Sequence, residues 1–264
     1  MKTTSILFAV VAATVLSTRP GTAGEIYVTS VDFAWKMSKY TTSGATVNSS
    51  LVTGLGNPTG IVAFGGNLFV TIPGSPGNGT IGEYTTSGAT VNATLVTGLN
   101  NPAGIVVSGG NLFVANAGNG TISEYTTSGA TVNASLVSGL NTPIGIAESG
   151  GNLFVTNYNG NTIGEYTTSG ATVNASLVSG LNKPQGIAVF GGNLFVANQS
   201  NNTIGEYTTS GATVNAALIS SGFFSPYGVA VVPEPSTITL LASALIFMGG
   251  MLFRRRRPKA SMAT

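Results

Sequence analysis

One nonapeptide, Tyr-Thr-Thr-Ser-Gly-Ala-Thr-Val-Asn, begins at Tyr40, Tyr84, Tyr125, Tyr166 and Tyr207, at intervals of 44, 41, 41 and 41 residues. A chain that repeats at this period is built from stacked copies of one supersecondary unit, and every other reading has to fit that constraint. Two further motifs keep the same period. Gly-Gly-Asn-Leu-Phe-Val starts at Gly65, Gly109, Gly150 and Gly191, and Pro-x-Gly before apolar residues starts at Pro58, Pro102, Pro143, Pro184 and Pro226. The first interval is longer because Ile72 to Gly77 inserts extra proline and glycine.

The unit that starts at Pro184 predicts four short strands. Gly186 to Phe190 is apolar, Gly191-Gly192 makes a tight turn, and Leu194 to Ala197 is the second strand. Asn198 to Asn202 form a loop. Thr203 to Thr208 alternates as a third strand, and Ala217-Leu218-Ile219 begins the fourth. Four strands in about 41 residues is the spacing of a β-propeller blade, and no helical periodicity appears in residues 24–232. The fold class expected is all-β, a propeller of five blades. The body opens inside a unit, at Ile26-Tyr27-Val28-Thr29, and the missing first strand stands at the far end, in Pro226 to Val232. The last strand is therefore expected to close the first blade and remove an exposed edge.

Between Glu25 and Val232 there are three lysines (Lys36, Lys39, Lys183) and seven acids, leaving the body at −4. That balance excludes a nucleic-acid partner, which needs a basic patch. The sequence has no histidine and no cysteine. Imidazole bases, serine triads, thiolate nucleophiles and the usual metal ligands are thereby excluded, and no cofactor is expected. Glu83, Glu124, Glu165 and Glu206 recur once per unit and read as a solvated strand face, with Lys39 at the equivalent place in the first unit. The expectation is a body without an active site. A hydrolase or lyase would have to use Asp32 or Glu148.

Asparagine-rich loops are the candidate ligand sites: Asn116 and Asn119, Asn157 and Asn159, and Asn198, Asn201 and Asn202 follow the second strands. A second set at Asn57, Asn100, Asn141 and Asn182 precedes the prolines. Both sets fall on one face of a propeller. With Tyr158, Trp35 and Phe33, their amides could bind sugar hydroxyls and stack on sugar rings, while asparagine also serves turns in its own right. Calcium wants carboxylates, which these loops lack. Repetition suits a multivalent binder of polysaccharide or of an envelope protein.

Both ends carry targeting patterns. Residues 1–23 read as a signal peptide for signal peptidase: Lys2, an apolar run from Ile6 to Leu16, and small residues Gly21-Thr22-Ala23 before the cut. At the other end Val232-Pro233-Glu234-Pro235-Ser236-Thr237 leads into an uncharged stretch over 236–253, about 27 Å as a helix and enough to cross a membrane. Arg254, Arg255, Arg256 and Arg257 follow and keep that end in the cytoplasm.

Residues 232–264 resemble a PEP-CTERM sorting signal in motif, helix and arginine cluster. The resemblance implies processing by an exosortase near Pro233-Glu234-Pro235, an inner-membrane precursor, and a final place at the cell surface or outside, in hosts that make exopolysaccharide. Each unit also resembles an NHL-type repeat, through Pro184 to Val189, Gly192 to Asn198 and Thr203 to Tyr207. That likeness implies a propeller, with mostly binding roles and some enzymes.

Overall fold

In the computed structural model, residues 13–16, 25–30, 35–42, 44–222 and 224–229 are described. All belong to one compact unit, Met1–Val231. They form five four-stranded antiparallel sheets and no helix, the five-bladed propeller that the period requires. No helix among the described residues is long and apolar enough to cross a membrane. The proposed sorting motif (Val232, Pro233, Glu234, Pro235), the apolar stretch after it and the arginine cluster lie outside the described residues.

Blade 4 shows the unit. Its strands run Pro143–Ser149, Asn152–Asn157, Thr162–Thr167 and Thr172–Val178, from the channel outward. The Gly-Gly turns join first to second strands with positive φ at both residues, 62° and 81° at Gly150 and Gly151. That is the hairpin geometry whose twist matches the strands it joins. The fourth strand begins at Thr172, and at Thr213 in blade 5, four residues before the apolar triplet Ala217-Leu218-Ile219 that announces it in the sequence. Its first five residues are exposed, so it carries no apolar signal until its end.

The blades are bonded by cores they share. Phe113, Ile122 and Val137 of blade 3 pack on Ile146, Leu153, Val155 and Tyr166 of blade 4. Phe154, Ile163 and Val178 of blade 4 pack in the same way on Ile187, Leu194, Val196 and Tyr207 of blade 5. Side chains alternate along the second strand, so Phe154 faces one neighbour and Leu153 and Val155 the other. Nothing in this arrangement gives a blade a core of its own, which is why one unit cannot fold alone.

Pro-x-Gly has a steric cause. A Cβ on Gly104 would stand 2.6 Å from the carbonyl oxygen of Ile144 in the next blade, and one on Gly186 would stand 2.7 Å from that of Tyr227. Only glycine lets the innermost strands approach this closely. A second glycine, in Thr-Ile-Gly-Glu-Tyr, lets a tyrosine lie along its own strand. The Tyr166 hydroxyl is 2.5 Å from where a Cβ of Gly164 would be.

Two sequence expectations are corrected. The recurring glutamates do not form a solvated face. Glu124 and Glu165 are buried, and each accepts a hydrogen bond from the asparagine of Gly-Gly-Asn, Asn111 and Asn152, at 2.7 Å. A carboxylate can lose water here because an amide replaces it. In blade 1 the pair is exchanged for an ion pair, Lys39 Nζ to Glu25 Oε1 at 2.6 Å. The second correction concerns closure. The innermost strand of blade 1 is Ala13–Leu16, pairing with Glu25–Ser30 from Ala13↔Val28 to Leu16↔Glu25, and not the segment that starts at Pro226. Ala13-Thr14-Val15-Leu16, part of the apolar run expected to serve as a leader, is itself a good β-forming sequence, and it lies nearest in the chain.

Candidate functional site at the loop face

The loops after the second strands and those before the prolines are zipped together by backbone hydrogen bonds. Tyr158 N–H donates to Thr142 O at 3.0 Å, and Gln199 N–H to Lys183 O at 3.1 Å. Blade 3 does the same from Ala117 to Asn101. The residue before each proline is left-handed: Asn57, Asn101, Thr142, Lys183 and Ser225 have φ of 67°, 49°, 57°, 53° and 52°. Asparagine accepts this readily, whereas Thr142 and Lys183 hold it at a conformational cost.

Most of the predicted asparagines serve this scaffold. Asn116, Asn157 and Asn198 are buried between blades, where their amides donate to the threonines that open the third strands, Thr121, Thr162 and Thr203. Asn116 also donates to Ser123. Asn119 and Asn201 accept from the same hydroxyls of Thr121 and Thr203 at 3.0 Å. Asn202 grips the Ser225 N–H at 2.7 Å, just as Asn161 grips that of Lys183 at 3.0 Å. Burial lifts the Tyr166 and Tyr207 phenols above their ordinary pKa, and the Asn157 and Asn198 amides against them offset part of the rise.

Asn159 and Tyr158 are different, for they join a cluster between blades 4 and 5. Lys183 Nζ donates to Asn159 Oδ1 at 2.8 Å and stands 4.7 Å from the centre of the Tyr158 ring. The Tyr158 hydroxyl donates to Gln199 Oε1 at 2.8 Å, and Gln185 Nε2 donates to the same oxygen at 3.2 Å. Gln185 is 4% exposed, and its own Oε1, like the Oδ1 atoms of the buried Asn116, Asn157 and Asn198, accepts no hydrogen bond from the protein. A buried amide oxygen left this way is costly unless something else donates to it. Lys183, Gln185 and Gln199 were not among the sequence candidates. Their signal was departure from the repeat: Gln185 stands where other units have Thr59, Ala103, Ile144 and Tyr227.

Trp35 is 47% exposed at the equivalent of Asn161, its carbonyl accepting from Leu55 N–H. Phe33 and Asp32 lie outside the described residues. Glu148 does not join the site. Its Oε1 accepts the Gly151 N–H at 3.0 Å, in the hairpin at the opposite end of its blade.

No family model matches the chain, and no curated protein matches it. Solved structures do. A streptogramin B lyase matches at 21% identity with a TM-score of 0.62, over 81% of this chain and 72% of that one. Selenomethionine-substituted virginiamycin B lyase from Staphylococcus aureus matches at 25% identity and TM-score 0.63, over 80% and 72%. A catalytically inactive histidine-to-alanine variant of that lyase with quinupristin matches at 23% and 0.63, over 83% and 75%. These likenesses overturn the expectation of a body without an active site, since the three propellers just named are lyases or a variant of one. The expectation failed because it equated the absence of histidine and cysteine with the absence of catalysis, while amine, phenol and amide groups remained.

Proposed function

We propose that this chain is an exported propeller lyase acting at the loop face, on the joint between blades 4 and 5. The observation that carries the reading is the cluster in which the Lys183 amine stands over the Tyr158 ring while the Tyr158 hydroxyl and the Gln185 amide meet on Gln199 Oε1, on the scaffold shared with streptogramin lyases. A lyase breaks a bond by elimination, so it needs a group to take a proton, a group to return one, and a charge to steady the anion between. Tyr158 can serve as both proton carriers in turn, taking the proton from carbon as the phenolate and returning it to the leaving oxygen as the phenol, while Lys183 stays protonated throughout. The Lys183 charge supplies the third, and a developing enolate at the ring face would take the hydrogen that Asn159 now accepts.

The chemistry differs from that of the virginiamycin lyase, where a histidine is needed, because this chain has none. The substrate proposed is a carboxylate-bearing sugar polymer of the cell surface. The leader, the Pro-Glu-Pro tail and its arginine cluster support export, signal peptidase and exosortase processing, and a place at or beyond the envelope. The exposed Trp35 supports stacking on sugar rings at the same face.

The test is product formation. The purified protein is offered acidic polysaccharides and, separately, quinupristin, and unsaturated ends are followed by ultraviolet absorbance and mass. Cleavage of a polysaccharide is expected. Lys183→Ala and Tyr158→Phe should each lower its rate by about 100-fold or more, the worth of a preorganised charge and of a positioned proton carrier respectively. No new chain end from any acidic polymer, or full activity in both variants, refutes the proposal.

A further inference from the structure

We propose that Ala13–Leu16 and the segment beginning at Pro226 compete for one strand position, the innermost of blade 1, and that removal of the leader hands this position to the C-terminal segment. Four observations converge on it.

The leader strand fills the position incompletely. Its ladder ends at Val28, whereas in blades 3, 4 and 5 the inner strand runs on to a proline opposite Asn116, Asn157 and Asn198. Those inner strands have seven residues and begin with Pro-x-Gly; Ile61–Phe64 of blade 2 has four but is prolonged by Thr59 and Gly60 of its Pro-x-Gly, which bond to Thr71, whereas Ala13–Leu16 has four and lacks the motif.

The C-terminal segment already arrives as an inner strand should. The Ser225 N–H is held by Asn202 as that of Lys183 is held by Asn161, and the two residues share a left-handed φ. Gly186 N–H donates to Tyr227 O at 2.8 Å, and Tyr227 O lies 2.7 Å from where a Cβ of Gly186 would be, much as Ile144 O lies 2.6 Å from that of Gly104. Tyr227 thus takes the place beside blade 5 that each following blade takes beside its predecessor.

The sequence from Pro226 to Val231 is the inner-strand motif, Pro-x-Gly and then apolar residues. Registered as Ile105 is against Val114, it sets Val229 opposite Val28, where Ala13 now stands, and Val231 opposite Ile26.

Finally, the outer flank of blade 5 is bare. Leu218 and Ile219 are 42% and 46% exposed, while Val137 and Val178, which precede a covering blade, are 6% and 5% exposed. Joining the C-terminal segment to blade 1 brings that blade's sheet to this flank.

The absence of cysteine makes the test direct. Two variants of the full chain share Val28→Cys; one adds Ala13→Cys and the other Val229→Cys. Each carries a protease site within residues 18–22, so the leader can be cut from the folded chain. Before cutting, mild oxidation should cross-link the 13–28 pair, with the 28–229 pair at least tenfold less. After cutting, the 28–229 pair should become the main product. Equal 28–229 cross-linking before and after cutting overturns the proposal. So does its absence after cutting in a chain that keeps its near-ultraviolet circular dichroism. No substrate enters the assay, so its outcome is independent of the lyase reading.

Discussion

Gly104→Ala should lower the thermal midpoint by about 6 °C or more. The added methyl would sit 2.6 Å from the Ile144 carbonyl oxygen and 3.0 Å from the Ile146 nitrogen. Both are backbone atoms of the next blade, so no rotamer change relieves the clash and the inner strands must part. Overpacking of this kind costs roughly 1–3 kcal/mol and more where backbone moves. A domain of this size loses roughly 2–4 °C per kcal/mol. Ser176→Ala, on an exposed fourth strand, should stay within about 0.5 kcal/mol of the parent. Differential scanning calorimetry of the three proteins decides it. An unchanged midpoint for Gly104→Ala would mean that the channel wall is not as tight as Pro-x-Gly makes it.

Alkaline pH should unfold the protein in one step. Burial raises the phenols of Tyr27, Tyr84, Tyr166 and Tyr207, and at Tyr27 the hydrogen bond to Glu25 adds to the rise. In the unfolded chain each ionises near its ordinary value of 10.0. Below that pH both states hold the proton and their stabilities do not diverge. Above it the unfolded chain releases protons that the folded chain keeps, so stability falls as pH rises. Denaturant midpoints should drop from about pH 10 upward, with tyrosinate absorbance appearing together with loss of sheet. Tyr166→Phe combined with Tyr207→Phe should flatten the drop. Glu25 works at the other extreme. Its hydrogen bonds from Lys39 and Tyr27 hold its carboxyl below the usual range, so its contribution is present above the ordinary carboxylate pKa and is lost on acidification.

The blades were legible because a 41-residue period and paired glycines leave few alternatives, and Thr203–Thr208 was read to the residue. What the pattern hid was exchange between equivalents. Asn152 and Glu165 looked like a turn residue and a surface charge, since the bond joining them crosses two strands that only the register aligns. Most loop asparagines looked free because their partners, Thr121 or Ser225, belong to the next strand or the next blade. The candidate site was only half visible. Tyr158 and Asn159 stood in a repeated loop, while Lys183, Gln185 and Gln199 were legible only as deviations from the repeat. Strand competition in blade 1 was hidden for another reason: an apolar leader and a β-strand draw on the same residues, Ala13-Thr14-Val15-Leu16.

The fourth strands of blades 3 and 4 are one sequence, Thr-Val-Asn-Ala-Ser-Leu-Val, and the third strands of blades 4 and 5 are another, Thr-Ile-Gly-Glu-Tyr-Thr. To a chain still searching for its pairings, these segments are interchangeable: a hairpin closed with the wrong partner satisfies the same bonds and buries the same side chains. Local energetics therefore cannot reject an out-of-order blade, and rejection has to come from loop length. Refolding from denaturant will be heterogeneous, with misordered arrays that resolve only by unpairing. Synthesis from the N-terminus, which presents one blade at a time, removes most of that ambiguity.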